Sequence, residues 1–180
     1  NTDLESTAAI LTKKRRTDGL EFELAGRIND KWEVFSGLAF MDAKILEVAE
    51  NVDASSGAIT SAYKGYKGQR ARNTPPVTFN IWSTYKLTDK WKFALGLEAK
   101  GERFGYVPSS TRAFTEFSPN TLPGYVRLDS MLAYEEKKWA VKLNVKNLLD
   151  KVYYDAIYDN GGFSVPGNSR TVILTTELKF

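Results

Sequence analysis

Four segments of this chain alternate in period two and two more are strand-like; the six come in pairs, and the spacing within and between the pairs restricts the fold more than any single motif does. "GLEFELAGRI" sets Leu20, Phe22, Leu24, Gly26 and Ile28 against Glu21, Glu23, Ala25 and Arg27. "VTFNIWSTYKL" sets Val77, Phe79, Ile81, Ser83, Tyr85 and Leu87 against Thr78, Asn80, Trp82, Thr84 and Lys86. "WKFALGLEAKG" and "WAVKLNVKN" repeat the pattern, with Trp91, Phe93, Leu95, Leu97 and Ala99 on one face of the first and Trp139, Val141, Leu143 and Val145 on one face of the second. Such alternation predicts strands with one apolar face. Strand-like runs at 32–43 and 125–134 have a less definite parity, and the run at 170–180 makes a seventh. Strands 20–28 and 32–43 are joined by "NDK", 77–87 and 91–103 by "TDK", and 125–134 and 139–147 by "EEKK". Between the pairs lie polar connections at 46–74, 104–123 and 149–168. Loops longer than about 12–15 residues are uncommon in compact soluble domains. Here three occur, all on the same side.

A soluble sandwich accounts for the alternation and leaves that asymmetry unexplained. A transmembrane β-barrel accounts for both, because it joins strands of about ten residues by short periplasmic turns and long outer loops. Trp32, Trp91 and Trp139 each follow a short turn, where an aromatic girdle would meet the periplasmic interface; the other reading makes them core aromatics of a sandwich. The last residues, "SRTVILTTELKF", fit the barrel: Leu174, Thr176, Leu178 and Phe180 share a parity, which brings Phe180 to the same interface as the tryptophans. The expected fold class is therefore all-β, an antiparallel transmembrane β-barrel segment of about seven strands.

Composition narrows the function. The 180 residues contain no Cys and no His, which removes thiolate chemistry, most zinc sites and the Ser-His-Asp triad. A net charge of +3 is too mild to call for nucleic acid. No run approaches 18 apolar residues, so no transmembrane helix is predicted. The start, "NTDLESTAAILTKKRR", has its acids first and its bases after the apolar run, so it does not read as a signal peptide. The expectation is that a signal was removed or that the beginning of the gene product is missing.

Several stretches resemble the C-terminal part of the TonB-dependent receptors, outer-membrane transporters of Gram-negative bacteria. "GLEFELAGRINDKWEVFSGLAFMDAKI" (19–45) is similar to a strand-turn-strand of that family, and "NTPPVTFNIWSTYKL" (73–87) to the segment leading into its next strand. "NVKNLLDKVYY" (144–154) resembles the family's Asn-Leu-hydrophobic-Asp-Lys-x-Tyr-Tyr signature, and "VPGNSRTVILTTELKF" (165–180) its Pro-Gly-x-x-Arg ending with a terminal Phe. The resemblance implies a barrel of 22 strands with an N-terminal plug, loaded with ferric siderophore outside and energised by TonB. On that footing residues 1–180 form the C-terminal portion of the barrel, with the plug domain and the N-terminal strands absent. It also implies that Leu174, Thr176, Leu178 and Phe180 form the outer-membrane targeting signal read by the barrel-insertion machinery.

The loops hold the candidate ligand contacts. In the first, "YKGYKGQRAR" interleaves Tyr63 and Tyr66 with Lys64, Lys67, Arg70 and Arg72 and carries no acid. The second offers Tyr106, Arg112, Phe114 and Phe117, and the third Tyr158 and Phe163 beside Tyr153 and Tyr154. Aromatic faces and guanidinium groups suit an anionic, aromatic ferric siderophore of the catecholate type through stacking and charge-assisted hydrogen bonds. In the plainer reading these arginines are solvated or pair with lipopolysaccharide phosphates, and Glu21, Glu23 and Arg27 bond the plug or one another. No cofactor or protein-bound metal is expected, since the siderophore wraps the iron and the chain offers only oxygen ligands. Outer-membrane proteases and phospholipases are rivals that use a histidine. Import of heme, cobalamin or glycan, a passive porin-like barrel, and a soluble β-sandwich binding module are the others.

Overall fold

The computed structural model describes residues 12–48, 51–52, 55–56, 59–60, 67–106, 119–157 and 163–179. Strands β1 (Thr12–Asn29) and β2 (Trp32–Val48) form the first hairpin, followed by the short β3 (Asn51–Val52) and β4 (Ile59–Thr60). Next come β5 (Val77–Lys86), β6 (Trp91–Lys100), β7 (Arg103–Tyr106), β8 (Pro119–Leu122), β9 (Tyr125–Glu135) and β10 (Trp139–Lys146). The chain continues through β11 (Tyr154–Ile157), β12 (Ser164–Pro166) and β13 (Thr171–Leu178). Seven of these make one antiparallel sheet in the order β1-β2-β5-β6-β9-β10-β13, so every long strand lies beside its predecessor. The pairs β3–β4, β7–β8 and β11–β12 are hairpins within the three long connections.

The short turns close through their own side chains. The backbone N–H of Lys31 donates to Asn29 Oδ1 at 2.9 Å, and those of Lys90 and Trp91 donate to Thr88 Oγ1 at 3.3 and 3.1 Å. Asn and Thr can do this because a short polar side chain mimics the backbone acceptor of a turn.

Register settles the two parities that the sequence leaves indefinite. Val34, Ser83, Leu95, Ser130, Val145 and Val172 form one continuous rung, and Phe22, Leu38, Phe79, Ala99 and Val126 another. Trp32, Val34, Ser36, Leu38 and Phe40 therefore share a face with Val126, Leu128, Ser130, Leu132 and Tyr134. Among the paired residues from Leu20 to Phe40 and from Val77 to Leu178, that face carries no charged side chain. Its large residues are open to the surroundings, Phe22 at 56% and Leu95 at 45%. From Trp32 to Phe40, at about 3.3 Å per residue and the usual barrel tilt, this apolar band stands about 19–22 Å tall, close to the roughly 25 Å band of an outer-membrane barrel. Trp32, Trp91 and Trp139 mark its lower edge, with Trp91 edge-on to Tyr134 at 4.8 Å.

The opposite face is laced by ion pairs: Arg27–Glu33 at 3.0 Å, Lys92–Glu135 at 2.8 Å and Arg127–Glu98 at 3.2 Å. Trp82 lies across Gly96 on this side, where any Cβ would collide with the indole.

Two elements depart from the sequence expectation. β6 ends at Lys100 rather than at 103, and Arg103 opens β7 with its side chain buried. The first hairpin runs well beyond 20–28 and 32–43, and in its added height the two faces exchange character. Asp18 and Arg16 (2.7 Å) and Asp42 and Lys44 (2.6 Å) occupy the parity that is apolar below. Ala43 and Ile45, each 1% exposed, occupy the parity that is polar below. A strap, residues 68–76, covers them by adding to β2: the Ala71 N–H donates to Ala43 O at 2.7 Å, the Ile45 N–H to Gln69 O at 3.0 Å, and the Met41 N–H to Pro76 O at 2.9 Å. Phe180 lies outside the described residues. Leu174, Thr176 and Leu178 stand on the charge-free face, as their alternation predicts.

Candidate ligand-facing site at the outer rim

Where β6 and β9 rise toward the long connections, period two puts Glu98 and Lys100 on the polar face, directly opposite Arg127 and Tyr125. Arg127 reaches Glu98 at 3.2 Å and Asp129 at 3.0 Å, and its Nη1 donates to the Tyr153 hydroxyl at 3.1 Å. The Tyr125 hydroxyl donates to Glu98 Oε1 at 2.6 Å and lies 3.1 Å from Asp155 Oδ1. Lys100 pairs with the same Asp155 at 2.9 Å. Arg103, 2% exposed, donates to the backbone carbonyls of Tyr154 (2.7 Å) and Asp155. The β11–β12 hairpin is thereby seated on the wall through one carboxylate and two carbonyls.

The hydrogen bond from Lys100 is the main cause that holds the Asp155 carboxyl below its usual range. A carboxylate depressed in the folded state adds stability above its unfolded value, about 3.9, and loses it as pH falls through the lower folded value. Docking of the hairpin is therefore expected to be unchanged from neutral pH to about 4 and to weaken below. Asp155→Ala should abolish that acid dependence and speed amide exchange in 154–157 several-fold at neutral pH, as hydrogen-exchange mass spectrometry would read. The half-exposed pair limits the effect to about 1 kcal/mol or less.

A second junction closes the base of the same connection. Asn147, 1% exposed and at φ 51°, donates through Nδ2 to the carbonyls of Lys151 (2.9 Å) and Asn168 (3.0 Å) and accepts the Lys151 N–H at 2.9 Å. Asp150 accepts the Arg170 N–H at 2.7 Å. Gly167 donates its N–H to Tyr153 O at 2.8 Å and lies so close to that ring that a side chain there would overlap it. Tyr153 in turn packs on Tyr125 with centroids 4.4 Å apart.

The family model for TonB dependent receptor-like β-barrels matches residues 3–148. The chain belongs to this family. It is 29% identical over 183 residues to the probable TonB-dependent receptor BfrD of Bordetella pertussis, covering 100% of this chain and 23% of that protein. It is 31% identical over 170 residues to the catecholate siderophore receptor Fiu of Escherichia coli K12, covering 93% and 20%. Among solved structures, the siderophore receptor PiuA of Acinetobacter baumannii superposes with a TM-score of 0.76 at 26% identity, over 92% of this chain and 22% of that one. The chain thus spans about a fifth of the length of the relatives it matches. As a TonB-dependent receptor barrel it sits in the outer membrane, with its charge-free face toward lipid and its ionic face toward the lumen.

In this receptor the two junctions give the signature residues physical work. "NVKNLLDKVYY" and "PGNSR" meet across the base of the third connection, where Asn147 reaches Asn168, Asp150 reaches Arg170, and Tyr153 covers Gly167.

Of the candidate ligand contacts, Tyr63, Lys64, Tyr66, Arg112, Phe114, Phe117 and Tyr158 lie outside the described residues. Lys67 is exposed in a turn at the start of the strap, and Phe163 is 57% exposed ahead of β12. Tyr106 ends β7. Arg70 and Arg72 are half-buried in the strap. Arg70 donates to Glu102 O at 2.6 Å and stacks over the Phe104 ring at 4.1 Å, tying the first connection to the second. Sequence reasoning passed over Glu98, Lys100, Arg103, Arg127, Asp129 and Asp155. The signal available was opposite charge at every second residue in "EAK" (98–100) and "RLD" (127–129), at the outer ends of two strands.

Proposed function

We propose that the chain is the C-terminal portion of an importer of ferric siderophores, catecholate by preference, energised through TonB, with the plug domain and the earlier strands on the longer protein. The carrying observation is the two-sided sheet: one face free of charge across the lipid band, the other an ionic wall that rises into loops cross-tied by arginine and tyrosine. Such a wall suits a watered passage that receives a polar anion, and ring faces beside guanidinium groups suit catechols. The reading is of a transporter and not an enzyme, supported by relatives that are transport receptors. Iron is cargo here, carried inside its chelator.

A receptor-null strain complemented with the full-length gene, grown on single iron sources with and without TonB, tests the reading. Growth on ferric catecholates that requires TonB is the expected result. Uptake that persists without TonB overturns it, and growth on heme, cobalamin or glycan alone reassigns the substrate. Within the site, Arg70→Ala with Arg72→Ala is expected to weaken anionic siderophore binding several-fold by equilibrium titration, through lost charge and a loosened strap. Unchanged affinity removes the strap from the site.

A further inference from the structure

We propose that the periplasmic rim holds a glycerophospholipid at a built site between β9 and β10, with an acyl chain in an apolar slot and the phosphate on the lysines of the adjoining turn. The proposal rests on the outer-membrane barrel described above and adds a ligand that its transport reading does not require. The slot has a volume of about 390 Å³ and lies among Trp91, Leu132, Tyr134, Trp139, Val141 and Leu143, all on the charge-free face. β9 and β10 are paired on both sides, to β6 and β13, so the walls of the slot are complete within this chain. At its turn end the rings of Trp91, Tyr134 and Trp139 stand in a row, with centroids 4.8 and 5.3 Å apart.

Below Trp139, which borders both spaces, a larger polar hollow of about 720 Å³ opens among the turn residues. Its charges are not balanced. Glu136 is taken up by Lys90 at 2.5 Å and by the Tyr134 hydroxyl at 2.6 Å, and Glu135 by Lys92 at 2.8 Å. The Lys90–Glu136 bond raises the lysine's pKa and lowers that of the carboxyl, so this pair stays ionised and closed to a further anion. Lys137 and Lys138 remain on the hollow with Asp89 against them, while Lys179 also feels the charge of Glu135, and none of the three lysines makes an ion pair among the described residues. An excess of ammonium groups at the turn that adjoins the apolar slot through Trp139 matches an amphiphile with an anionic head and a hydrocarbon tail. The short turns mark the periplasmic leaflet, where that amphiphile is a glycerophospholipid. Inorganic phosphate would leave the slot empty, and a neutral detergent would leave the lysines bare.

The test uses the full-length receptor, delipidated in a non-ionic detergent and titrated with dioleoyl-phosphatidylglycerol by native mass spectrometry. One retained lipid per barrel is expected, and millimolar inorganic phosphate should not displace it. Lys137→Glu with Lys138→Glu, both exposed turn positions, should raise the lipid concentration needed for half occupancy about tenfold. Val141→Trp, which fills the slot and leaves the lysines in place, should do the same. Retention unchanged in both variants, or full displacement by phosphate, overturns the site. Heat-modifiable migration on gels reports the folded barrel independently. A barrel that folds and needs detergent, yet binds lipid without regard to these residues, defeats this site alone. A protein that stays dissolved without detergent defeats the membrane reading beneath it.

Discussion

Leu95→Arg is expected to lower the stability of the receptor in a bilayer by about 2–4 kcal/mol, a large effect for a change at an already exposed position. Leu95 lies midway between Trp91 and Ala99 on β6 and points away from the ionic face. A guanidinium there is far from either interface, and the rung around it offers only Gly26, Val34, Ser83, Ser130, Val145 and Val172. With no carboxylate within reach it keeps its charge in hydrocarbon or distorts the bilayer to reach water. Asn80→Arg on the neighbouring strand is the matched control, because Asn80 faces the lumen directly opposite Glu98. It should cost less than about 1 kcal/mol. Equilibrium folding of the full-length protein from denaturant into lipid vesicles measures both. Equal costs, or a harmless Leu95→Arg, would mean that the two faces have been assigned the wrong surroundings.

Asn147→Ala should cost about 3 kcal/mol locally while leaving the barrel intact. The amide of Asn147 makes three hydrogen bonds from a side chain that is 1% exposed, so alanine takes the partner from two carbonyls and one N–H and leaves a void beside them. The φ of 51° adds to the penalty, since an Asn tolerates the left-handed region better than an Ala does. Asn147→Gly relieves the backbone and not the lost bonds, so an intermediate loss is expected and separates the two causes. The consequence should appear at the third connection: faster limited proteolysis within 148–168 and about tenfold weaker ligand binding, with heat-modifiable migration retained. Proteolysis and affinity at wild-type levels in Asn147→Ala would show that this junction does not position the loop.

The membrane-spanning strands were legible because their two surroundings differ so sharply. Leu20 through Ile28 and Val77 through Leu87 alternate without a break, and the short turns carry Asn29 and Thr88 where a turn needs a side-chain acceptor. The upper half of the first hairpin was hidden by the same rule. Above Gly19 and Met41 the apolar residues change sides, so a reading that follows one parity stops at the change. The ionic cluster at the outer rim was harder still, because its partners are far apart in sequence: Glu98 and Arg127 differ by 29 positions and Lys100 and Asp155 by 55. Nothing local tells one charged residue of a wet face which loop it will hold. The Asn147 and Gly167 positions could be noticed as a signature, whereas their meeting across the third connection needed the fold.

The exchange of sides in the first hairpin also fixes how deep the wall can sit. Sinking by two residues would draw the Asp18 and Asp42 carboxylates, with Arg16 and Lys44 behind them, among acyl chains, and rising by two would lift Leu20 and Phe40 into water. Vertical play is opposed from both directions at the same height. Mechanical load passed to this part of the wall would meet a floor and a ceiling in the chain itself, independently of the tryptophan belt beneath.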